Sequence, residues 1–81
     1  MNWKFVKIEW EDAASESAWI TEKHLPDLAK FITIGWLVQE TDRRMTIAAS
    51  YGVTKDGEMQ VGECISIPRA CVLSVQELVW P

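Results

Sequence analysis

Histidine is nearly missing from this 81-residue chain, with His24 the single one, and cysteine occurs only twice. One histidine rules out a two-histidine metal site. Cys64 and Cys71 form a lone C-x6-C spacing, which lacks the close ligand pairs of a structural zinc site. No glycine-rich phosphate loop is present among the four glycines. Basic residues are also short: eight Lys and Arg stand against twelve Asp and Glu, for a net charge of −4. Generic duplex binding rests on cations that neutralise phosphates, so it is not expected here. No apolar run approaches the ~18 residues that a membrane span needs. The start, Met1-Asn2-Trp3-Lys4, does not read as a signal peptide. The expected setting is therefore a reducing cytoplasm, with both thiols free and buried or half-buried, and with no metal or cofactor.

What the chain does have is tryptophan, five in all: Trp3, Trp10, Trp19, Trp36 and Trp80. Each ring brings a large apolar area and one N–H that wants a partner. Residues 1–81 suffice for a single domain. A domain of this size buries only about 60% of its unfolded surface, so a staple or self-association usually supports it. With the usual staples missing, the indoles must compensate, or a homo-oligomer must.

The patterning is that of a β protein. Residues 3–10 alternate, with Val6, Ile8 and Trp10 on one face. Residues 11–18 are small and acidic and read as an exposed loop. Thr21 offers a cap, and Pro26 suits the first turn of a short helix over Leu25 to Lys30, with Leu28 facing inward. Residues 31–40 form the clearest strand, with Ile32, Ile34, Trp36 and Val38 making an apolar face. Thr41-Asp42-Arg43-Arg44 turns the chain into a strand over Met45 to Val53, whose Met45, Ile47, Ala49 and Tyr51 share a face. Thr54-Lys55-Asp56-Gly57 is a hairpin signal, because Asp-Gly accepts the positive φ of a tight turn. Met59 to Ile67 returns, Pro68-Arg69-Ala70 makes a 3₁₀ step, and Cys71 to Leu78 closes. The expected fold is a small, strongly bent antiparallel sheet or an SH3-like or Sm-like barrel of five to six strands, with one short helical turn. Gly35 and Gly62 sit where bent central strands would want them, and a single open sheet is the fallback.

Three stretches carry a resemblance: Trp10-Glu11-Asp12-Ala13, Gly35-Trp36-Leu37-Val38, and Ile67-Pro68-Arg69 followed by Val72. Together they resemble short, mostly uncharacterised bacteriophage accessory proteins with the running pattern W-x-D-A … G-W-L … I-P-K/R. The resemblance implies a small, non-enzymatic protein of the infected host's cytoplasm. Some phage proteins of this size block host defence by sequestering a nucleotide signal or a host protein. The resemblance assigns no site residue.

The residues themselves offer two binding readings and a weaker catalytic one. Trp3 and Trp80 sit near the chain ends, where burial within one subunit is hard. With Trp19 they are the expected aromatic contacts for a host protein, and Glu11 and Asp12, with the acidic loop, would steer a basic partner. The alternative uses Arg43, Arg44 and Arg69. In a meander, alternate turns fall at the same end, so these three are expected on one rim, with Lys55 at the other end. Guanidinium groups there could clamp the phosphate of a nucleotide in a homo-oligomeric sponge. A hydrolase built on Glu11, Asp12 and His24 would lack a second histidine and an evident nucleophile.

Overall fold

A computed structural model describes residues 2–13 and 19–79. Its elements are β1 (Lys4–Asp12), a 3₁₀ turn over Glu22–His24, β2 (Ala29–Glu40), β3 (Arg44–Val53), β4 (Met59–Pro68), a 3₁₀ turn over Arg69–Cys71, and β5 (Val72–Glu77). The five strands make one sheet in the order β4-β3-β2-β1-β5, and all adjacent pairs are antiparallel. The sheet is not closed, because β4 and β5 are its two edges. The fold is therefore the open, bent alternative among those expected, with five strands.

The turns follow the local chemistry. Between β2 and β3, Thr41 Oγ1 accepts the N–H groups of Arg43 and Arg44, both at 3.1 Å, and the Thr41 N–H donates to the Arg44 carbonyl at 2.9 Å. A threonine hydroxyl satisfies backbone donors that a two-strand turn leaves open. Between β3 and β4, Gly57 takes φ 81°, and its N–H donates to the Thr54 carbonyl at 3.0 Å. The glycine is there because the turn requires a positive φ.

The helical turn lies elsewhere than the sequence suggests. It occupies Glu22–His24, ahead of Pro26, and β2 has already begun at Ala29. Leu28 is exposed, 58% accessible, and does not face inward. The residue before a proline is biased to extended backbone, and Leu25, at φ −59° and ψ 143°, obeys that bias and ends the turn.

One face of the sheet holds the core. Val6, Ile8, Trp10, Met45, Ile47 and Ile67 are buried together, with Leu37, Ile65, Cys71 and Val72 packed against them. Cross-strand register places Val6 opposite Gly35, Ile8 opposite Thr33, and Met45 opposite Ile67. The expected face of β1 is the buried one. The expected face of β2 is not: Ile32 and Ile34 are mostly exposed, and Trp36 is half-buried against Phe5 (5.2 Å between ring centres) and Tyr51 (4.9 Å) on the opposite side of the sheet. On β3, Met45 and Ile47 are buried, but Ala49 and Tyr51 are exposed. Cys64 is exposed and Cys71 half-buried, and both thiols are free, so the expected burial fails for Cys64.

Gly35 sets the bend. A Cβ built there would lie 2.5 Å from the Ala48 carbonyl oxygen and 2.8 Å from Ile47 Cγ2. Only a residue without Cβ lets β3 cross β2 so closely. Beyond that crossing the two strands part: β2 pairs with β3 only from Trp36 onward, and Ala48 is the last β3 residue in the pairing. Residues 49–53 and 59–63 continue as a two-stranded arm. Gly62 is not a second crossing, because its nearest neighbour would be Ser50 Cβ at 4.0 Å. The irregularity lies one residue on, at Glu63, whose φ is 55° and where the β3–β4 ladder skips a pair.

Gly35→Ala is therefore expected to lower stability by about 1–3 kcal/mol or more, since the clash is with backbone. Gly62→Ala should stay within about 0.5 kcal/mol of the parent, as substitutions away from special features do. Urea unfolding of both variants checks this, and equal effects would contradict it.

Candidate functional site

Three places in the sheet present side chains that can bind. The first is the loop between β1 and β2. β1 and β2 are locked by the pair Asp12–Ala29, so the loop springs from that end of the ribbon. Every residue from Trp19 to Leu28 is exposed, among them the large apolar Trp19, Ile20, Leu25 and Leu28. Trp19 shows its whole side chain to solvent. Among the described residues the segment's hydrogen bonds are local: Thr21 Oγ1 and His24 Nδ1 lie 2.7 Å apart, and the His24 N–H donates to the Thr21 carbonyl at 2.9 Å. Glu11 is half-buried and Asp12 exposed at the loop's root, where Asp12 Oδ1 accepts the Ala13 N–H at 2.7 Å.

The second is the turn end that carries the arginines. The Arg69 N–H donates to the Arg43 carbonyl at 2.9 Å, and Arg44 pairs with Pro68, so topology does bring the three residues to one end. Their side chains then divide. Arg43 and Arg44 line a recess of about 300 Å³ with Ser66 and Pro68, and Arg44 Nη2 donates to Gln39 Oε1 at 2.6 Å. Arg69 turns to a different recess and forms an ion pair with Glu40.

That third place is a groove of about 550 Å³ over the core face, where Lys4, Glu40 and Arg69 stand beside Val6, Leu37 and Met45. It exists because the sheet bends without closing. Glu77 lines it as well, so two cations stand against two carboxylates, which gives it little pull on a net anion or cation.

The remaining candidates are not assembled into one patch. Trp3 is half-buried, its ring 6.2 Å from Tyr51 at the start of β1, a full strand length from the loop that bears Trp19. Trp80 lies outside the described residues. Trp10 is core, stacked 5.0 Å from Phe31, and its Nε1–H donates to Thr33 Oγ1 at 3.0 Å. Among the described residues, no hydrogen bond or ion pair links His24 with Glu11 or Asp12, and no group of three His, Cys, Asp or Glu could hold a metal. Among the same residues, no helix is long and apolar enough to cross a membrane. Sequence reasoning missed the exposed Leu25 and Leu28. The signal was there in Pro26, which cuts off the helix that would have turned Leu28 inward.

No protein-family model matches this chain, and neither a curated protein nor a solved structure matches it.

The Arg69–Glu40 pair is about half exposed on both sides, and pairs of that kind contribute about 0–1 kcal/mol. Arg69→Ala is thus expected to leave the urea midpoint nearly unchanged. A loss of about 3 kcal/mol or more, the range of a buried pair broken on one side, would show that the groove is sealed in solution.

Proposed function

We propose that this chain is a non-catalytic binding protein, phage-encoded and directed at a protein of the host cytoplasm, which it grips through the β1–β2 loop. The observation that carries the reading is the full exposure of Trp19 in a segment whose other large apolar residues, Ile20, Leu25 and Leu28, are exposed as well. Leaving so much apolar area in water is unfavourable by roughly 25 cal/mol per Å². Large apolar side chains left exposed together in one segment mark contact sites, and aromatic residues dominate the energetics of such contacts. Glu11 and Asp12 at the loop root, with Glu22 and Asp27 within the loop, outnumber Lys23 and Lys30 and leave this end net negative. A partner with a basic rim around an apolar pocket fits that combination, because charge steers the encounter and the indole fills the pocket. Trp3 plays a lesser part, since Tyr51 already covers part of its ring. The resemblance to phage accessory proteins supports the setting, and the order β4-β3-β2-β1-β5 with a 3₁₀ step before β5 supports an SH3-like ancestry for the open sheet.

A second reading rests on the recess that joins Arg43 and Arg44 to Ser66. Two guanidinium groups and a hydroxyl suit a phosphate, so a phosphorylated nucleotide is the ligand this recess would take. The protein would then act as a sponge, removing a nucleotide signal without altering it.

The two readings separate experimentally. Trp19→Ala is expected to keep the parent's circular dichroism and melting point, since the ring touches nothing that holds the fold. It should lose at least tenfold in affinity for whichever host protein the parent retains. If the variant retains that protein as well as the parent does, the loop is not the contact. For the second reading, a nucleotide panel that includes cyclic dinucleotides should raise the melting temperature of the parent and leave Arg43→Ala unmoved. No shift with any nucleotide removes the sponge.

A further inference from the structure

The β3–β4 arm has a property that the binding readings leave unused. Beyond Gly35 its ladder with β2 ends, and of its apolar side chains Tyr51 keeps ring contacts with the body, 4.9 Å from Trp36 and 6.2 Å from Trp3. Its cross-strand pairs are Tyr51–Val61 and Val53–Met59 on one side, and Ser50–Gly62 and Gly52–Gln60 on the other. One side is thus wholly apolar and the other small and polar. All four apolar residues are exposed, Val53 at 62%. A lone two-stranded ribbon is marginal in water, and its apolar side requires a cover.

A matching strip lies across the fork from the arm. Ile32 and Ile34 lie on the same side of β2 as Trp36 and are 62% and 51% exposed. The run Phe-Ile-Thr-Ile-Gly-Trp-Leu-Val in β2 is the pattern of a strand covered on both faces. The core covers one. On the other, Ile32 and Ile34 stand opposite Glu9 and Lys7 of β1 and remain more than half exposed.

Area decides how large the missing cover is. The chain exposes 6450 Å², whereas a folded monomer of its mass exposes about 5,000 Å². The excess is about 1,500 Å² per chain, and the exposed loop from Trp19 to Leu28 supplies part of it. Two chains that hid about half of it would still bury about 1,500 Å², the size of a specific protein–protein interface. The shape agrees. The radius of gyration is 16.5 Å and the long axis 57 Å, against about 12 Å expected for the radius of a compact chain of this length. A core of six large buried side chains is small for a domain that must stand alone. A cover needed for folding has to be present whenever the chain is, and the partner that meets this condition is another copy.

We propose that the protein is an obligate homodimer in which the apolar side of each arm, Tyr51, Val53, Met59 and Val61, packs on the Ile32–Ile34 strip of a second copy. The contact is reciprocal, so one two-fold arrangement covers both arms and both strips and leaves no open end for further growth. It uses none of the loop from Trp19 to Leu28 and stands or falls independently of what that loop binds.

Light scattering on the full chain tests it, together with melting curves over a hundredfold range of concentration. The expected mass is twice 9.3 kDa, and the melting temperature should rise with concentration, because association stabilises only the folded chain. Val53→Lys with Met59→Lys charges the apolar side and should give chain-sized mass or an unfolded chain at concentrations where the parent is dimeric. Gln60→Lys, on the polar side of the same arm, should keep the dimer and guards against a general effect of added charge. A parent that stays at single-chain mass with a melting point independent of concentration overturns the proposal, whether or not it later binds another protein. A Val53→Lys, Met59→Lys variant that stays dimeric overturns the assignment of the arm.

Discussion

The geometry of this molecule turns on how closely β3 passes Gly35. With any side chain at that position, the Ala48 carbonyl would have to withdraw. The pairing between β2 and β3 would then flatten and lengthen. Because the crossing is close, the sheet curls enough to bring Met45, Ile47 and Ile67 against Val6 and Ile8. For the same reason β3 leaves β2 straight after Ala48. The core and the projecting arm are two outcomes of one contact. A flat sheet would have neither, since a single layer curls onto itself only when its central strands can cross at a steep angle.

The strands were legible in the sequence because their signals are local. Alternation in residues 3–10, Asp-Gly at 56–57, and proline before the 3₁₀ step each dictate a backbone shape without help from distant residues. The side that would be buried was not legible for β2. Both of its sides are apolar, so periodicity gives no preference, and register against β1 makes the choice. Gly35 opposite Val6 places Thr33 and Leu37 on the core side and Ile34 and Trp36 on the other. Thr33, the poorer core residue by composition, is accommodated because its hydroxyl accepts the Trp10 indole N–H. That long-range pairing of a donor with an acceptor cannot be read from either residue alone.

The candidate sites divide along the same line. Topology alone placed Arg43, Arg44 and Arg69 at one end, and backbone hydrogen bonding between Arg69 and Arg43 agrees. Where the guanidinium groups go depends on side-chain parity. Arg44 follows Thr46 and Ser66, whereas Arg69 reaches Glu40 over the core side. A shared end is a property of the meander, while a shared pocket requires a shared face. The tryptophans show the converse. Trp3 and Trp19 were grouped as indoles expected at the surface, Trp3 because it sits near a chain end, but nearly the full length of β1, about 3.3 Å per residue, stands between them.

Charge separates the surfaces that remain. The four apolar side chains of the arm stand with no ionic residue between Ser50 and Val53 or between Met59 and Gly62, whereas the loop end gathers Glu11, Asp12, Glu22 and Asp27 against Lys23 and Lys30. A chain of net charge −4 repels its own copies, so a surface on which like chains meet must be neutral where they touch. The arm satisfies that condition, and beside Ile32 and Ile34 the Lys7–Glu9 ion pair cancels its own charge, whereas the loop end keeps an excess of carboxylates. Conversely, like-charge repulsion at the loop end disfavours stacking of copies through Trp19 and leaves that ring for a partner of opposite sign. Two exposed apolar surfaces on one small sheet are thereby directed to different occupants by the charges around them, although the hydrophobic effect that makes each adhesive is the same.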